Sequence, residues 1–457
     1  MNKLRLAPFL IVALMVGSCS EEPTVESLDA EIAKSGGETT VFLATSTSYA
    51  TPAPNLGQVN LDLHTEGDAA FEEAFVSAPA EVSGGLGPVF NSFSCVNCHP
   101  RDGRGRPPLP GEFLNSMLLR VSVPGMNPHG GPNPVPGFGG QYQQRSNFGV
   151  KPEGSVAISY SEINGSYADG EAYSLRVPAF TLTNTYVPLP PGVMTSARVA
   201  PPVFGLGLLE AITPSTIEAL ADESDVNGDG ISGKVNRVYD VEDGTTKVGR
   251  FGWKANTPTL YQQVATAYSE DMGITNPLLK VEACHGQEQY YEYTDKTEIG
   301  QGVLDATTLY VRTLAVPARR NLNDPTNRRG EKLFVEANCG KCHIQEVVTG
   351  TLANVPEVSN QKIRPYTDLL LHDMGEGLSD GRPDYLASPT EWRTPPLWGI
   401  GLAQLVNGYI FFLHDGRART YEEAILWHGG EAEASKEFFR KLPKSDRDAM
   451  VSFLKSL

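Results

Sequence analysis

The chain has 457 residues, of which 20% are charged and 40% hydrophobic, a composition that fits a globular protein of two or three domains. Its formal net charge is −17, and a chain with this excess of acidic residues repels phosphate backbones, which disfavours nucleic acid as a partner. After residue 18, no apolar run approaches the roughly 20 residues that a membrane-spanning helix needs.

Residues 1–18 have the features of a secretory signal peptide. Lys3 and Arg5 precede an apolar stretch, and small residues follow it up to Cys19. The sequence Val-Gly-Ser-Cys resembles a bacterial lipobox, which implies cleavage before Cys19 and lipidation of its sulfur; the alternative is a plain signal peptide with an incidental cysteine. We therefore expect an extracytoplasmic lipoprotein of the bacterial outer membrane, facing the periplasm or the cell surface. Residues 19–58, rich in Glu, Ser, Thr and Ala, predict a flexible tether.

Two Cys-x-x-Cys-His motifs use four of the six cysteines. The motif residues are Cys95, Cys98 and His99 in the first motif, and Cys339, Cys342 and His343 in the second. This spacing is the attachment signature of c-type haem, in which both thiols bind the porphyrin and the adjacent imidazole binds the iron. A zinc site and a thiol redox pair also use Cys-x-x-Cys, but neither needs the histidine. We predict two covalently bound c-type haems, and interpret Cys284 as a buried free thiol.

Helical patterns precede both motifs, at residues 67–75 and 330–336. Between the motifs, the Gly/Pro/Gln-rich run 124–146 predicts a long surface loop, and residues 173–183 alternate in the manner of strands. A capping-box-like pattern at Ser445 predicts the start of a final helix.

The polar stretch 316–329 marks a domain boundary. We predict an N-terminal haem domain over residues 59–318 and a C-terminal haem domain over residues 319–457. The fold class expected is mainly α, with two cytochrome c-like domains, the first of which is enlarged by a loop-rich, β-containing insertion.

The sixth iron ligand decides whether a haem carries electrons or reacts with small molecules. In the second domain, Thr420 and Glu423 form a capping box, and the helix that follows carries His428 on its apolar face. This pattern favours His428 as a distal ligand. A hydrogen-bonded core histidine is the alternative interpretation, and Met374 is an alternative ligand.

The first domain has no comparably placed ligand, so we expect an open sixth position at which peroxide binds. Peroxide cleavage also needs an acid–base group. Glu210 is the candidate, because it lies in the otherwise apolar and glycine run 203–212, where burial would raise its pKa. The alternative is a capping or salt-bridge carboxylate.

Asp225, Asn227 and Asp229 match the first half of an EF-hand-type calcium loop, with glycine at the sixth position. Position 12 is Asn236, which lacks the bidentate carboxylate that closes such a loop. A calcium site and an Asx-rich turn both remain open from the sequence.

Taken together, these motifs resemble the di-haem oxidoreductase family, peroxidase-like proteins once called thiol oxidoreductases and distantly related to the bacterial di-haem cytochrome c peroxidases. The matching stretches span nearly all of the chain from residue 60 onwards. They are residues 85–99, 198–212, 249–254, 368–375, 391–398 and 414–430.

The resemblance implies specific roles. In the peroxidase relatives, the C-terminal haem is a six-coordinate electron-transfer centre whose distal ligand corresponds to His428, although those relatives usually have methionine there. The N-terminal haem is the peroxide site, and Glu210 corresponds to its distal glutamate. A tryptophan between the haems is a further family feature, for which Trp253 is the candidate, and a Ca²⁺ between the domains is known in the relatives.

We therefore expect an exported di-haem peroxidase-like oxidoreductase that passes electrons from the C-terminal haem to hydrogen peroxide at the N-terminal haem. One alternative is a non-enzymatic electron-transfer lipoprotein, in which His129 or Met194 permanently binds the first iron. Another is a di-haem enzyme that oxidises a partner protein. The acidic surface predicts a basic electron donor, such as a small cytochrome.

Overall fold

The computed structural model describes residues 25–291 and 297–457. The predicted signal peptide and the predicted lipidation site, Cys19, lie outside these residues.

Twelve α-helices form within the described part of the chain. They are α1 (Val25–Ala33), α2 (Gln58–Glu72), α3 (Cys95–Cys98), α4 (Leu206–Ala211), α5 (Pro214–Leu220), α6 (Leu260–Met272), α7 (Gln301–Thr313), α8 (Pro325–Glu336), α9 (Ala403–Asn407), α10 (Tyr421–Leu426), α11 (Glu433–Lys441) and α12 (Lys444–Ser456). Not one of these helices combines the length and apolarity that crossing a membrane would require.

Seventeen strands occur in the same residues, all in small sheets of two or three strands. They are β1 (Thr40–Val41), β2 (Val76–Ser77), β3 (Gly84–Leu86), β4 (Val89–Phe90), β5 (Met117–Met126), β6 (Pro132–Asn133), β7 (Arg145–Ser146), β8 (Ser155–Ser166), β9 (Ala172–Thr183), β10 (Met194–Val199), β11 (Arg237–Asp240), β12 (Thr245–Val248), β13 (Val316–Pro317), β14 (Val347–Val348), β15 (Lys362–Ile363), β16 (Leu371–Asp373) and β17 (Glu391–Arg393). The predicted class of mainly α is too narrow, because helices and strands both contribute substantially and the segment from β5 to β10 is built of strands.

The two motifs follow the same local architecture. α2 crosses α7 so closely at Gly67 that a Cβ there would lie 2.1 Å from the carbonyl oxygen of Ala306. α8 crosses α12 in the same way at Gly330, where a Cβ would lie 2.0 Å from the carbonyl oxygen of Ala449. Glycine is therefore required at both crossings. The predicted helices before the motifs are confirmed, and each belongs to one of these crossed pairs.

Apolar side chains collect in three main buried clusters. The first is formed largely by α2, α4, α6 and α7, the second by α8 and α10 to α12, and the third by β5, β10 and the chain between β6 and β7. The third cluster corrects the prediction of a surface loop over residues 124–146. Residues 124–129 are largely exposed, as the prediction requires, but Phe138 and Tyr142 are fully buried, because the second part of this run closes over β5.

The predicted flexible tether is also corrected for its described part. Tyr49 is buried, its ring stacks on Phe204 with centroids 4.3 Å apart, and its hydroxyl donates to the carbonyl oxygen of Gly399 over 2.6 Å. β1 pairs in parallel with β13. Sequence composition predicts a tether here because the segment is polar, yet its few apolar residues are all that is needed to fix it against the body.

A long β8–β9 hairpin joins the insertion to the second cluster. The two strands pair from Ser155 with Thr183 to Ser166 with Ala172, as the alternating pattern over residues 173–183 predicts. At its tip, Tyr167 is buried in the second cluster, and the guanidinium of Arg447 lies 3.8 Å from the ring centroid.

Candidate functional site

The first motif forms the short helix α3, and His99 follows it directly. The Nδ1 of His99 donates to the carbonyl oxygen of Pro201 over 2.7 Å, which leaves Nε2 as the free ring nitrogen. Burial lowers the pKa of His99 to about 4, so the imidazole is neutral at physiological pH and has a lone pair for a metal. The ring of Phe71, from α2, lies 6.1 Å from the His99 ring.

A cavity of about 450 Å³ opens beside the first motif. Cys95, Cys98 and His99 line it, and His99 is the one histidine in its lining. Met117 and Met272 also contribute, each from within an apolar cluster. His129 and Met194, the ligands predicted for a closed haem, do not line this cavity; His129 stacks on Tyr239 instead.

Arginines dominate the ionisable lining of this cavity. Six of them contribute side chains, namely Arg104, Arg120, Arg198, Arg250, Arg382 and Arg393. Arg198 and Arg382 share one carboxylate, Asp384, with nitrogen to oxygen distances of 2.8 and 3.2 Å. The buried Nε atoms of Arg250 and Arg382 have no hydrogen-bond partner among the described residues. This excess of buried positive charge needs an anion.

Haem fits this set of residues. Two thiols and a neutral imidazole would hold a haem covalently and through its iron, and the unpartnered guanidinium nitrogens would suit its two propionates. Arg198 and Arg382 would hold a propionate beside Asp384. The sequence does not indicate these arginines, because they come from segments almost 200 residues apart.

The second motif brings two imidazoles together. His343 Nδ1 donates to the carbonyl oxygen of Tyr366 over 2.9 Å, and His428 Nδ1 donates to that of Ala424 over 2.7 Å, so both rings keep Nε2 free. Burial lowers the pKa of His343 to about 4 and also lowers the pKa of His428, so both imidazoles are neutral at physiological pH. A pair of neutral imidazoles suits both axial positions of one haem. The backbone of Met374 lies next to Gly429, where a Cβ would be 2.9 Å from the Met374 carbonyl oxygen.

His372 lies next to the second motif between two carboxylates. Its Nε2 lies 2.8 Å from Asp368 and its Nδ1 lies 2.7 Å from Glu431. Despite burial, these partners raise the pKa of His372 to about 12, so the ring is an imidazolium. Cys342, Asp368 and His372 form the one three-residue group in the described chain with metal-ligand spacing, but an imidazolium that donates from both nitrogens cannot bind a metal.

Trp253 lines the first cavity and belongs to the second apolar cluster. A role for this tryptophan between two haems stays a prediction. The Arg104 guanidinium lies 5.3 Å from the ring centroid.

Glu210 is not brought to the cavity. Its carboxylate accepts bonds from Arg312, with Nε to Oε2 at 2.6 Å, and from the backbone amide of Leu260 at 2.7 Å. Glu210 therefore caps the start of α6 and forms a salt bridge with α7. This is the alternative to an acid–base role that the sequence left open. The apolar run around Glu210 is the packing of α4 in the first cluster.

The Asp225 loop has the hydrogen bonds of an Asx-rich turn. Asp225 accepts the amides of Asp229 and Gly230, and Asp229 also pairs with the Lys341 ammonium of the second motif. Asn236 turns away into the core, where its amide donates to the carbonyl oxygen of Lys254. A twelve-position calcium loop is therefore not assembled, because its closing residue is occupied elsewhere.

Glu270 and Asp271 are the acid–base candidates that sequence reasoning missed. Both line the first cavity at the C-terminal end of α6. Glu270 lies 3.6 Å from Arg120, and Asp271 accepts from the side-chain amide of Gln141 over 2.7 Å. The sequence does contain a sign of these residues. Two adjacent acidic side chains in the last turn of a helix interact unfavourably with the helix dipole, which suggests that they are kept for a function.

Comparison with known proteins agrees with the haem-binding residue types of the two motifs. The family model described as "Di-haem oxidoreductase, putative peroxidase" matches residues 29–457. No curated protein matches the chain. A solved structure of hydrazine synthase from Kuenenia stuttgartiensis, pressurised with 20 bar xenon, is 13% identical and covers 99% of this chain and 100% of its own, but its TM-score of 0.38 is too low to carry an argument. With two haem-attachment motifs and a family match over nearly its whole length, the chain belongs to the di-haem oxidoreductase family, which confirms the resemblance drawn from its motifs.

Proposed function

We propose that this protein is an exported di-haem enzyme that reduces hydrogen peroxide at the first motif with electrons that enter at the second motif. The observation that carries the proposal is the asymmetry between the two motifs. The second has a pair of imidazoles, His343 and His428, whereas the first has His99 alone beside a cavity with polar walls. One closed centre for electrons and one open centre for a small molecule is the arrangement that such a reaction needs.

The reduction of one hydrogen peroxide takes two electrons and two protons and gives two water molecules. A haem, when bound, supplies the iron position at which a small molecule is reduced. Glu270 and Asp271 hold and move protons at their carboxylate oxygens. Burial raises the pKa of Asp271, which helps this carboxylate to hold a proton, and Arg120 balances the charge of Glu270. Glu210 keeps the position of α6, from which both acids project.

Electrons pass between the motifs by way of Trp253, and they come from a basic soluble donor. The net charge of −17 supports this choice of partner, because an acidic surface attracts a basic one over a screened range of roughly 10 Å. Raising the ionic strength should therefore slow reduction of the protein by its donor. The predicted lipid on Cys19 would keep the enzyme at the outer membrane and in reach of periplasmic donors.

The test is electron paramagnetic resonance of the holoprotein, fully oxidised and then half-reduced, followed by rapid mixing with peroxide. We expect one high-spin ferric haem in at least one of the two states, and peroxide consumption by the reduced protein. Two low-spin haems in both states, with no reaction, would contradict the enzyme.

The electron-carrier alternative is favoured by one observation. Met117 and Met272 line the first cavity, and a thioether from either would close the first iron. Substitution of each by leucine should leave the spin state unchanged if the enzyme proposal is correct. A switch to high spin in either variant would support the carrier.

A further inference from the structure

A second, much smaller cavity lies behind the wall of the first. It measures about 10 Å³, which is room for about one water molecule. Its ionisable lining residues are Glu153, Glu270, Glu282 and Cys284. Glu270 is the ionisable residue that lines both cavities, and its Oε2 would lie 4.0 Å from a Cβ on Gly140, which also lines both.

Glu153 is fully buried at the centre of this polar region. Its Oε2 accepts the backbone amide of Gln143 over 2.6 Å, and its Oε1 accepts the side-chain amide of Gln287 over 3.0 Å. Neither bond neutralises a negative charge. The titratable groups that act on Glu153 include Glu270, Tyr142, Tyr186 and Cys284, all of which are acids.

Buried polar atoms around the small cavity need partners. Gln141 is 1% exposed and lines the cavity, yet its Oε1 has no hydrogen-bond partner among the described residues. The Oε1 of Gln287 is also buried without a hydrogen-bond partner among the described residues. Buried polar groups of this kind are usually satisfied by ordered water, and this cavity is polar enough and large enough to hold it.

Glu282 connects the small cavity to the surface. It is half-buried, while Val281 on one side and His285 three residues on are exposed. On its inner side, Glu282 accepts the thiol of Cys284 at 3.7 Å. The small cavity is therefore lined by one carboxylate near the surface, Glu282, one fully buried carboxylate, Glu153, and one residue shared with the first cavity, Glu270.

We propose that this small cavity is the proton inlet of the first haem site, in which Glu282 takes protons from solvent, Glu153 holds them and Glu270 delivers them. The inference rests on the proposed function, because peroxide reduction consumes two protons for each two electrons from the donor. Burial raises the pKa of both Glu153 and Glu282 to about 8, so each holds a proton at neutral pH.

The first test compares the haem-loaded Glu153→Gln variant with the haem-loaded unmodified protein. Glutamine keeps the shape, and Gln287 can rotate its amide to accept from the new NH₂ group, so the hydrogen bonds persist without a transferable proton. With a pH indicator, we expect proton uptake during peroxide reduction to slow by about 10²-fold, within the range that positioned acid–base groups contribute. Haem content and the reduction rate of the haems by donor should stay unchanged.

Glu288→Gln is the matched control, because Glu288 is exposed, lies in the same segment and pairs with Lys151 outside the cavity. It should behave as the unmodified protein does. Glu282→Gln, at the mouth of the cavity, gives a second variant if Glu153→Gln does not fold. Proton uptake at the normal rate in a folded Glu153→Gln or Glu282→Gln variant would overturn the proposal.

Infrared spectroscopy tests whether Glu153 is protonated, and it does so without peroxide turnover. The holoprotein should show a protonated-carboxyl C=O band that Glu153→Gln removes and that shifts promptly on transfer into D₂O. A missing band, or a shift as slow as exchange of the core amides, would overturn the inlet. If the band behaves as expected but the protein does not consume peroxide, the proposed function fails while the proton route stands.

Discussion

The indole Nε1 of Trp253 donates a hydrogen bond to the carbonyl oxygen of Val199 over 2.8 Å. Val199 belongs to β10 and lines the first cavity, whereas the Trp253 ring packs in the second apolar cluster. The backbone amide of Arg393 also donates to the carbonyl oxygen of Trp253. Both the ring and its backbone are therefore fixed between the first cavity and the second apolar cluster.

Trp253→Phe should slow electron transfer between the haems without loss of either haem. Phenylalanine keeps an aromatic ring in the apolar cluster but lacks the indole nitrogen. Its smaller ring would also leave a longer distance between aromatic groups along the proposed electron path. Rapid mixing with reduced donor should show normal reduction of the second haem and delayed reduction of the first. Trp398→Phe, in the first apolar cluster and away from the cavity lining, is the control. Equal delays in both variants would exclude a specific role for Trp253.

His428→Met should raise the midpoint potential of one haem only. Replacing imidazole by thioether at an axial position favours the reduced iron, and axial ligands span a range of roughly 0.8 V. Spectroelectrochemical titration measures the change. His129→Met should leave both potentials unchanged, because His129 is exposed and stacks on Tyr239. If His428→Met also left both unchanged, His428 would be a core histidine.

Glu210→Ala should destabilise the protein by about 3 kcal/mol, because it leaves the Arg312 guanidinium and the start of α6 without their acceptor. Arg312→Ala should cost a similar amount, and the double variant should cost less than the sum of the two. Chemical denaturation measures these values. Peroxide turnover per folded haem protein should remain normal in Glu210→Gln. A loss of 10²-fold or more there would restore Glu210 as the acid–base group.

Stability should fall as the pH rises through the range in which Glu153 is protonated only in the folded state. Burial raises its pKa to about 8, whereas an exposed glutamate titrates near 4.3. The unfolded chain releases the proton first, so the folded state binds more protons between these values and loses stability with increasing pH. Denaturation of Glu153→Gln should show a flatter profile, with a relative gain on the order of 5 kcal/mol near pH 8. Parallel profiles for the two proteins would contradict this assignment.

Calcium should not stabilise the protein through the Asp225 loop. A ligand that binds only the folded state raises stability by RT ln(1 + [L]/Kd), and the Lys341 ammonium already neutralises Asp229. Thermal denaturation with Ca²⁺ and with a chelator should give the same midpoint. A Ca²⁺-dependent rise that Asp225→Asn abolishes would show that the loop binds the ion.

Local signals in the sequence predict the attachment of both haems and the helices that carry them. The Cys-x-x-Cys-His spacing, the capping box at Thr420 and the alternation over β9 depend only on neighbouring residues, and the structure contains α10 and β9 where these patterns predict them. The Thr420 hydroxyl accepts the amide of Glu423, as the capping box requires.

Features that depend on contacts across the chain are not predictable in this way. Asp384 is shared by Arg198 and Arg382, and the first pairing spans 186 residues. For Glu210, the local sequence predicts the environment but not the role of the side chain. Its apolar neighbours indicate burial correctly, but burial alone does not distinguish a proton donor from a carboxylate that pairs with an arginine 102 positions away.

The β8–β9 hairpin ties the N-terminal and C-terminal halves of the chain together. Its tip inserts Tyr167 into the core of the C-terminal half, while Trp398 and Leu402 from that half belong to the core of the N-terminal one. A cut near residue 318 would leave two fragments, each with an apolar surface that the other normally covers. Each fragment should therefore be prone to aggregate on its own. Exchange of one half with that of a relative would leave the same apolar surfaces without their matching partners.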